Sequence, residues 1–311
     1  MIDQSASSVR LRAPAKLNLG LAITGRRDDG FHDLVTIFQA IDLCDDVTVR
    51  HRPTGETPAL VHLGEIGGSE PGEDAVLVSD DNLAVRAARA AADATGLTGE
   101  LTVSLDKAIP PASGMGGASS DAAAALSAIE RIAGRAIPDP DRLRIELALG
   151  SDVPFFRRAG TALAGGRGED LDVLPTPREG VFVVVVPRLS TPILRKTATL
   201  FGALRPDDFD AGHPVLEQAG RLRRREPIDP DLLDNGFERA LGEIAPEVEV
   251  FRRALHAVAP RRWALSGAGP THYGVDEDPE RAADVARRLG KRFGPRAMVA
   301  VCRPWSPDEP S

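Results

Sequence analysis

The stretch IPPASGMGGASSDAAAAL, Ile109 to Leu126, sets three glycines and three serines ahead of an almost pure alanine run. So little bulk in front of a helix has two physical readings. Glycine lets a backbone approach another group without a Cβ in the way, and a helix start gathers free N–H groups and the positive end of a dipole, so the stretch suits a phosphate. The same residues would equally build a close-packed joint between strand and helix, capped by a serine, with the alanines letting the helix lie against its neighbours. Spacing alone leaves both open. No Gly-Lys-Ser/Thr follows, so this is not a Walker A loop, and Ser119 stands where a dinucleotide fingerprint needs its third glycine. Ser119 and Ser120 are expected at the helix N-cap, able to cap, to touch phosphate or to bind Mg2+.

Working outward, Leu101–Lys107 alternates as a strand ahead of the glycines. The helix behind them is predicted from Asp121 to Ala133, closed by Gly134, and a second from about Asp141 to Leu149. Residues 9–50 read as strands joined by the turn GRRDDGFH, followed by a polar loop with one short strand over Arg52 to Asp74. SDDNLAVRAARAAADATG reads as a helix, with Ser79, Asp80 and Asp81 as its start signals and Gly96 as its stop. SDVPFFRRAGTALAGGRGEDLDVL reads as a loop and two short strands, and GVFVVVVP as a buried strand. The chain is then largely helical to Val258, returns to strands around RWALSGAGPTHYGVD, and ends with a helix begun by Pro279 and the strand RAMVAVC. This order predicts an α+β protein of two domains, 1–178 and 179–311, with the boundary near Thr176–Val181.

A chain of 311 residues, 42% hydrophobic and 27% charged, can bury a core in each of two domains. A formal net charge of −8 argues against a general partner among nucleic acids or anionic membranes. Arg221-Leu222-Arg223-Arg224-Arg225 is a local exception without interleaved aromatics, and reads as a solvated helix end. Cys44 and Cys302 form no metal-ligand spacing and no disulfide framework, which fits a reducing compartment. Met1 to Arg12 lacks the apolar stretch of a signal peptide, and the run Val181 to Val186 is far short of the ~20 residues that span a bilayer. The expectation is a soluble cytoplasmic protein.

Two further stretches bear on the glycines. LSGAGPTHYGV, Leu265 to Val275, is a second glycine turn between strands, and LGSDVPFF sets Asp152 after a helix stop and ahead of a proline. Taken singly, each is more often a turn. Together, in this order, they resemble the galactokinase–homoserine kinase–mevalonate kinase–phosphomevalonate kinase (GHMP) superfamily, with PPASGMGGASSDAAAAL as its ATP-phosphate loop and LSGAGPT as its C-terminal glycine motif. Ala13 to Val47, APAKLNLGLAITGRRDDGFHDLVTIFQAIDLCDDV, is similar to the opening of one family within it, the 4-diphosphocytidyl-2-C-methyl-D-erythritol kinases, and SDDNLAVRAA and LGSDVPFF match that family too. The likeness runs from about Ala13 to Asp172 and resumes near Ala264, and Leu194 to Arg262 contributes little.

The resemblance implies a two-domain GHMP fold: an N-terminal ATP-binding domain like domain 2 of ribosomal protein S5, and a C-terminal ferredoxin-like domain. It implies transfer of the ATP γ-phosphoryl group to the 2-hydroxyl of the erythritol unit, in the non-mevalonate route to isoprenoids. Asp152 would be the general base and Lys16 its partner. A tertiary alcohol is a poor nucleophile at neutral pH, so a carboxylate to take its proton and an ammonium to steady the alkoxide are sensible. Asn82 and Lys107 would lie in the adenine region. Pro110, Pro111, Ala112, Ser113, Gly114, Met115, Gly116, Gly117, Ala118, Ser119 and Ser120 would wrap the triphosphate, Ser119 holding the Mg2+ that comes with ATP. Asn18, Phe31, His32, Thr191 and Arg195 would lie on the side of the cytidine diphosphate-linked substrate, with His32 on the cytosine edge. Without the family, Lys16 reads as a surface lysine and His32 as a turn histidine. None of the six histidines has metal-ligand spacing.

This chain departs from the family pattern at three positions. The turn aromatic, often tyrosine, is Phe31, which keeps stacking and drops a hydroxyl. Arg195 aligns where a second aromatic is expected, and a guanidinium can also stack on a base. Ala118 replaces a usual glycine, which is tolerable only at negative φ. The rival readings are another GHMP kinase, for homoserine, mevalonate or a sugar, and a silent sensor that binds ATP or metabolite. AKLNLGL with DDGFHDL speaks against the first, and the presence of both Lys16 and Asp152 against the second.

Overall fold

The computed structural model describes residues 7–54, 58–68, 79, 81–190, 193 and 195–306. The chain forms two compact units, each assembled from separated stretches.

The first unit draws on Met1–Ala15, Leu43–Pro111 and Gly116–Arg158. It holds the start of β1 (Ser7–Arg26), the second half of β2 (His32–Arg52), β3 (Leu60–Gly68), α1 (Leu83–Thr95), β4 (Glu100–Lys107), α2 (Gly117–Ala133), α3 (Asp139–Leu149) and α4 (Val153–Phe156). β4 pairs antiparallel with β2, Asp46 opposite Asp106 and Arg52 opposite Glu100, and parallel with β3. Its alternation buries Leu101, Val103 and Leu105 on one face.

Three local expectations are corrected here. α1 is capped by Asn82, whose side-chain oxygen accepts from the Ala84 N–H at 2.9 Å, rather than by the Ser79–Asp81 run, in which Asp80 lies outside the described residues. α2 begins at Gly117, four residues before the predicted Asp121. Its N-cap is Gly116 at φ +72°, so Ser119 and Ser120 lie in the first turn and cap nothing. SDVPFF is a one-turn helix, α4, because Pro154 falls in a first turn, where a missing N–H costs nothing. The alanines behave as their size dictates: Ala84, Ala87, Ala88 and Ala91 of α1 and Ala122, Ala125 and Ala128 of α2 are buried, and the two helices pack on each other.

The second unit draws on Lys16–Asp42, Ala112–Met115 and Ala159–Ser311. It contains β5 (Thr161–Gly165), β6 (Asp170–Leu174), β7 (Val181–Pro187), α5 (Lys196–Gly202), α6 (His213–Arg223), α7 (Glu238–Ile244), α8 (Pro246–Val258), β8 (Ala264–Leu265), β9 (His272–Asp276), α9 (Pro279–Phe293) and β10 (Ala297–Cys302). β5 pairs with β6 and with Thr36–Gln39 of β2. β7 lies between β10 and β9, β8 follows β9, and every pairing is antiparallel. All seven residues of β7 are buried, as a central strand of valines requires. Val181, Val183 and Val185 meet Leu255, Trp263, Leu289 and Phe293, while Leu21 and Ile23 share a second core with Phe237, Leu241 and Leu265. Sheets that are antiparallel except for the β3–β4 pair, with helices between strand groups, make this the α+β architecture expected. Among the described residues no helix is long and apolar enough to cross a membrane.

His272 gives the second unit a defined acid response. It is 2% exposed, and its ring Nδ1–H donates to the Pro270 carbonyl at 2.9 Å, since a carbonyl only accepts. Burial pushes its pKa down to about 4; the Pro270 bond opposes this and the Arg252 charge adds to it. An unfolded chain binds this proton near its usual 6.5, so between pH 6.5 and 4 the unfolded state carries more protons and stability falls as pH falls. The expected loss from this ring is about 3 kcal/mol. Urea unfolding of the wild type at pH 7 and 4.5 should show it, and His272→Gln should show a shallower fall. Equal falls in both proteins would contradict a neutral buried ring.

Candidate active site

Two glycine motifs meet inside the second unit. Gly114 stands at φ +88°, and a Cβ there would collide with the carbonyl oxygen of Ser266 and lie 2.8 Å from that of Gly269. Around this contact Ser266 Oγ donates to the Gly114 carbonyl at 3.1 Å, the Thr271 N–H to Ser113 at 3.2 Å, and the Lys16 N–H to Met115 at 2.9 Å. The glycine at 114 is therefore demanded first by another backbone of the same chain. Gly114→Ala is expected to cost about 2–5 kcal/mol, from left-handed strain plus overpacking. A loss below about 1 kcal/mol in urea unfolding would mean that the two loops part easily.

Beside this junction runs a buried polar chain. Lys16 Nζ, on β1 and 4% exposed, donates to Asn18 Oδ1 at 2.7 Å, Asn18 Nδ2 to Thr36 Oγ1 at 2.8 Å, and Thr36 Oγ1 to the Gly20 carbonyl at 2.6 Å. The Lys16 ammonium lies 5.0 Å from the Phe38 ring centre. A Cβ built on Gly267 would stand 3.2 Å from Lys16 Nζ, so the second glycine motif borders the lysine as well. Tyr273, whose pKa is raised by burial, donates its hydroxyl to the Asn18 carbonyl at 2.6 Å.

Phe31 and His32 form a separate cluster in the same unit. The Arg167 guanidinium sits 3.9 Å over the half-exposed Phe31 ring. His32 stacks on Phe201 of α5, centroids 4.8 Å apart at 15°, and tilts toward Phe209. Its pKa is lowered, by burial first and then by the Arg26 charge. Arg195 is exposed, at φ +47° just ahead of α5, so the aromatic on His32 is Phe201. Thr191 lies outside the described residues.

In the first unit, Lys107 is 6% exposed and its ammonium pairs with Asp45 and Asp121. Burial, the largest influence, opposes its charge, yet the two carboxylates outweigh it and hold its pKa above the ordinary value. Asp45 also accepts from the N–H groups of Ala108 and Ile109, at 2.6 and 2.8 Å, which fixes the entry to Pro110 and Pro111. Asn82 is buried and spends its oxygen on capping α1. Ala118 is absent from the positive-φ residues, so its methyl is accommodated. Asp152, half-buried, heads α4 without capping it.

Several residues here carried no local signal. Asn235, from the stretch that contributed little to the resemblance, donates to the carbonyls of Leu265 and Gly267 at 2.9 and 3.0 Å and so pins the second glycine motif. Lys196, Phe201, Thr36 and Arg167 join it; each is an ordinary residue until the fold brings its partner. Among the described residues no group of three or more His, Cys, Asp or Glu side chains could hold a metal ion. Ser120 Oγ, however, is buried with no hydrogen-bond partner among the described residues, and such an orphan hydroxyl fits a phosphate or its cation.

Residues 82–160 match the family model of the GHMP kinases N terminal domain and residues 216–296 that of the GHMP kinases C terminal. The chain is 36% identical to the 4-diphosphocytidyl-2-C-methyl-D-erythritol kinase of Solibacter usitatus, over 90% of this chain and 85% of that one. It is 35% identical to the enzyme of the same name from Mycolicibacterium gilvum, over 95% and 88%. A crystal structure of 4-(cytidine 5'-diphospho)-2C-methyl-D-erythritol kinase superposes with a TM-score of 0.73 at 32% identity, covering 94% of this chain and 99% of that one. A homoserine kinase from Cytophaga hutchinsonii, 19% identical with a TM-score of 0.71 over 98% and 97%, shares the fold. With relatives this similar over nearly its whole length, the chain belongs to the 4-diphosphocytidyl-2-C-methyl-D-erythritol kinase family of GHMP kinases.

Proposed function

We propose that this small-molecule kinase transfers the γ-phosphoryl group of ATP to the 2-hydroxyl of 4-diphosphocytidyl-2-C-methyl-D-erythritol, in the non-mevalonate route to isoprenoid precursors, in the cytoplasm. Membership of the family over nearly the whole chain carries this reading. Asp152 takes the hydroxyl proton, and Lys16, held by Asn18, steadies the developing alkoxide. The rest of the work is positioning and charge neutralisation. Pro110 to Ser120 supply backbone N–H groups to the triphosphate, with Lys107 fixing the start of that loop through Asp45. Mg2+ bound with ATP would spread the phosphate charge, and the hydroxyls of Ser119 and Ser120 are the groups here that would hold it. Phe31, with one face covered by Arg167, keeps the other for cytosine, and His32, oriented by Phe201, reads the base edge; Thr191 and Arg195 border the same substrate. Residues 1–178 are taken as the ATP-binding and catalytic part and 179–311 as the part that completes the substrate site, the two family matches falling on either side.

The test is ADP release by the purified protein with Mg-ATP and four acceptors: the cytidyl compound, its uridyl analogue, homoserine and mevalonate. Turnover with the cytidyl compound alone is expected. Turnover with another acceptor would keep the kinase and overturn the substrate. ATP binding without any turnover would make the chain a sensor.

A further inference from the structure

Among the described residues, the partners of the Lys196 cation are neutral. Its ammonium donates to the carbonyl oxygens of Ala112, in the first glycine motif, and Gly269, in the second. No carboxylate pairs with it among the described residues. Burial, and then the charge of Lys16, pushes its pKa down to about 8. The backbone on both sides of the contact is held in the left-handed region by residues other than glycine: Ala112 at φ +52° and Arg195 at φ +47°. L-residues rarely adopt this backbone, and strain of this kind gathers where ligands are handled. A partly desolvated ammonium beside a second ammonium, bonded among the described residues to carbonyls, lacks there the charge that would compensate it.

We propose that Lys196 is a phosphate-binding residue, whose ammonium leaves the Ala112 and Gly269 carbonyls for a phosphate oxygen when the phosphorylated ligand enters. The inference rests on the kinase reading above, which supplies two sources of that chemistry: the terminal phosphates of ATP and the diphosphate of the cytidyl substrate. In the ligand-bound state Lys196 and Lys16 then share one anion instead of repelling each other. Both glycine motifs are released from the lysine in the same step, so the ligand itself switches the tie.

The test is calorimetric titration of the full chain with two probes, the non-hydrolysable ATP analogue AMP-PNP and cytidine diphosphate. Lys196→Gln keeps a donor for the carbonyls and removes the charge, while Lys196→Arg keeps the charge. Lys196→Gln should melt within a few degrees of the wild type yet bind one probe at least about tenfold more weakly, with Lys196→Arg recovering most of that loss. The probe that weakens names the source. Binding of both probes by Lys196→Gln within about twofold of the wild type would overturn the proposal. So would an equal loss in both variants accompanied by a lowered melting temperature, which is the mark of a structural tie. If the wild type binds AMP-PNP but not cytidine diphosphate, the substrate reading fails, and the AMP-PNP arm still decides on Lys196.

Discussion

Asp152→Asn is expected to lower kcat by about 10²–10⁴-fold while leaving the KM for ATP nearly unchanged, the span usual for a general base. The substitution keeps the size of the side chain and removes its negative charge, and with it the capacity to accept the proton of the alcohol. The fold should survive it, since Asp152 makes no cap to α4, whose burial comes from Val153, Pro154, Phe155 and Phe156. Steady-state ADP release, with AMP-PNP titration as the binding control, separates the two effects. A variant retaining a tenth or more of kcat would remove Asp152 from the mechanism. One that loses ATP affinity along with rate would make it a nucleotide contact instead.

The second large effect is on stability. Lys107→Met should cost about 3–5 kcal/mol at pH 8, because it strands Asp45 and Asp121 in the interior without their cation. Asp121 already stands at about pKa 7: burial raises it, Lys107 lowers it, and Asp45 raises it. Removing the lysine raises it further. A carboxylate whose folded pKa exceeds its unfolded value near 3.8 binds its proton more readily in the native state, so its contribution is lost as pH rises through the folded pKa. The deficit of the variant should therefore grow between pH 5 and pH 8. Urea unfolding at the two pH values checks both the size and the slope. A deficit that shrinks toward pH 8 would contradict the assignment of the buried charges.

What was legible in the sequence was local. Alternation marked β4, a run of β-branched residues marked β7, and small size marked the faces on which α1 and α2 meet. Helix starts were less legible. The predicted signals were hydroxyls and carboxylates at Ser79–Asp81 and Ser119–Ser120, whereas the chain used Asn82 in one case and a left-handed glycine, Gly116, in the other. The packing that Gly114 answers to is another loop of the chain rather than a serine-capped joint between strand and helix. Gly114 is small because Ser266 and Gly269 press on it, a partner some 150 residues away that no local window contains. Asn235 and Phe201 were invisible for the same reason. They act on Gly267 and His32 only once α5 and α7 have been packed, and nothing in their own neighbourhoods marks them.

The interleaving of the two units sets the order in which a growing chain can finish them. Leu17, Leu19 and Ile23 of β1 are fully buried in the finished protein. The Tyr273 hydroxyl that bonds the Asn18 carbonyl is 255 residues downstream, and the Arg303 amide that bonds the Asp42 carboxylate is 261 residues away from it. At ~5–20 residues per second, the ribosome takes about 13–50 s to deliver them. For that interval the β1–β2 ribbon waits outside the exit tunnel without these later partners, the kind of segment that holdase chaperones bind and that pairs wrongly in a crowded polysome. A strand that emerges some 250 residues ahead of these partners is thus among the last to be completed.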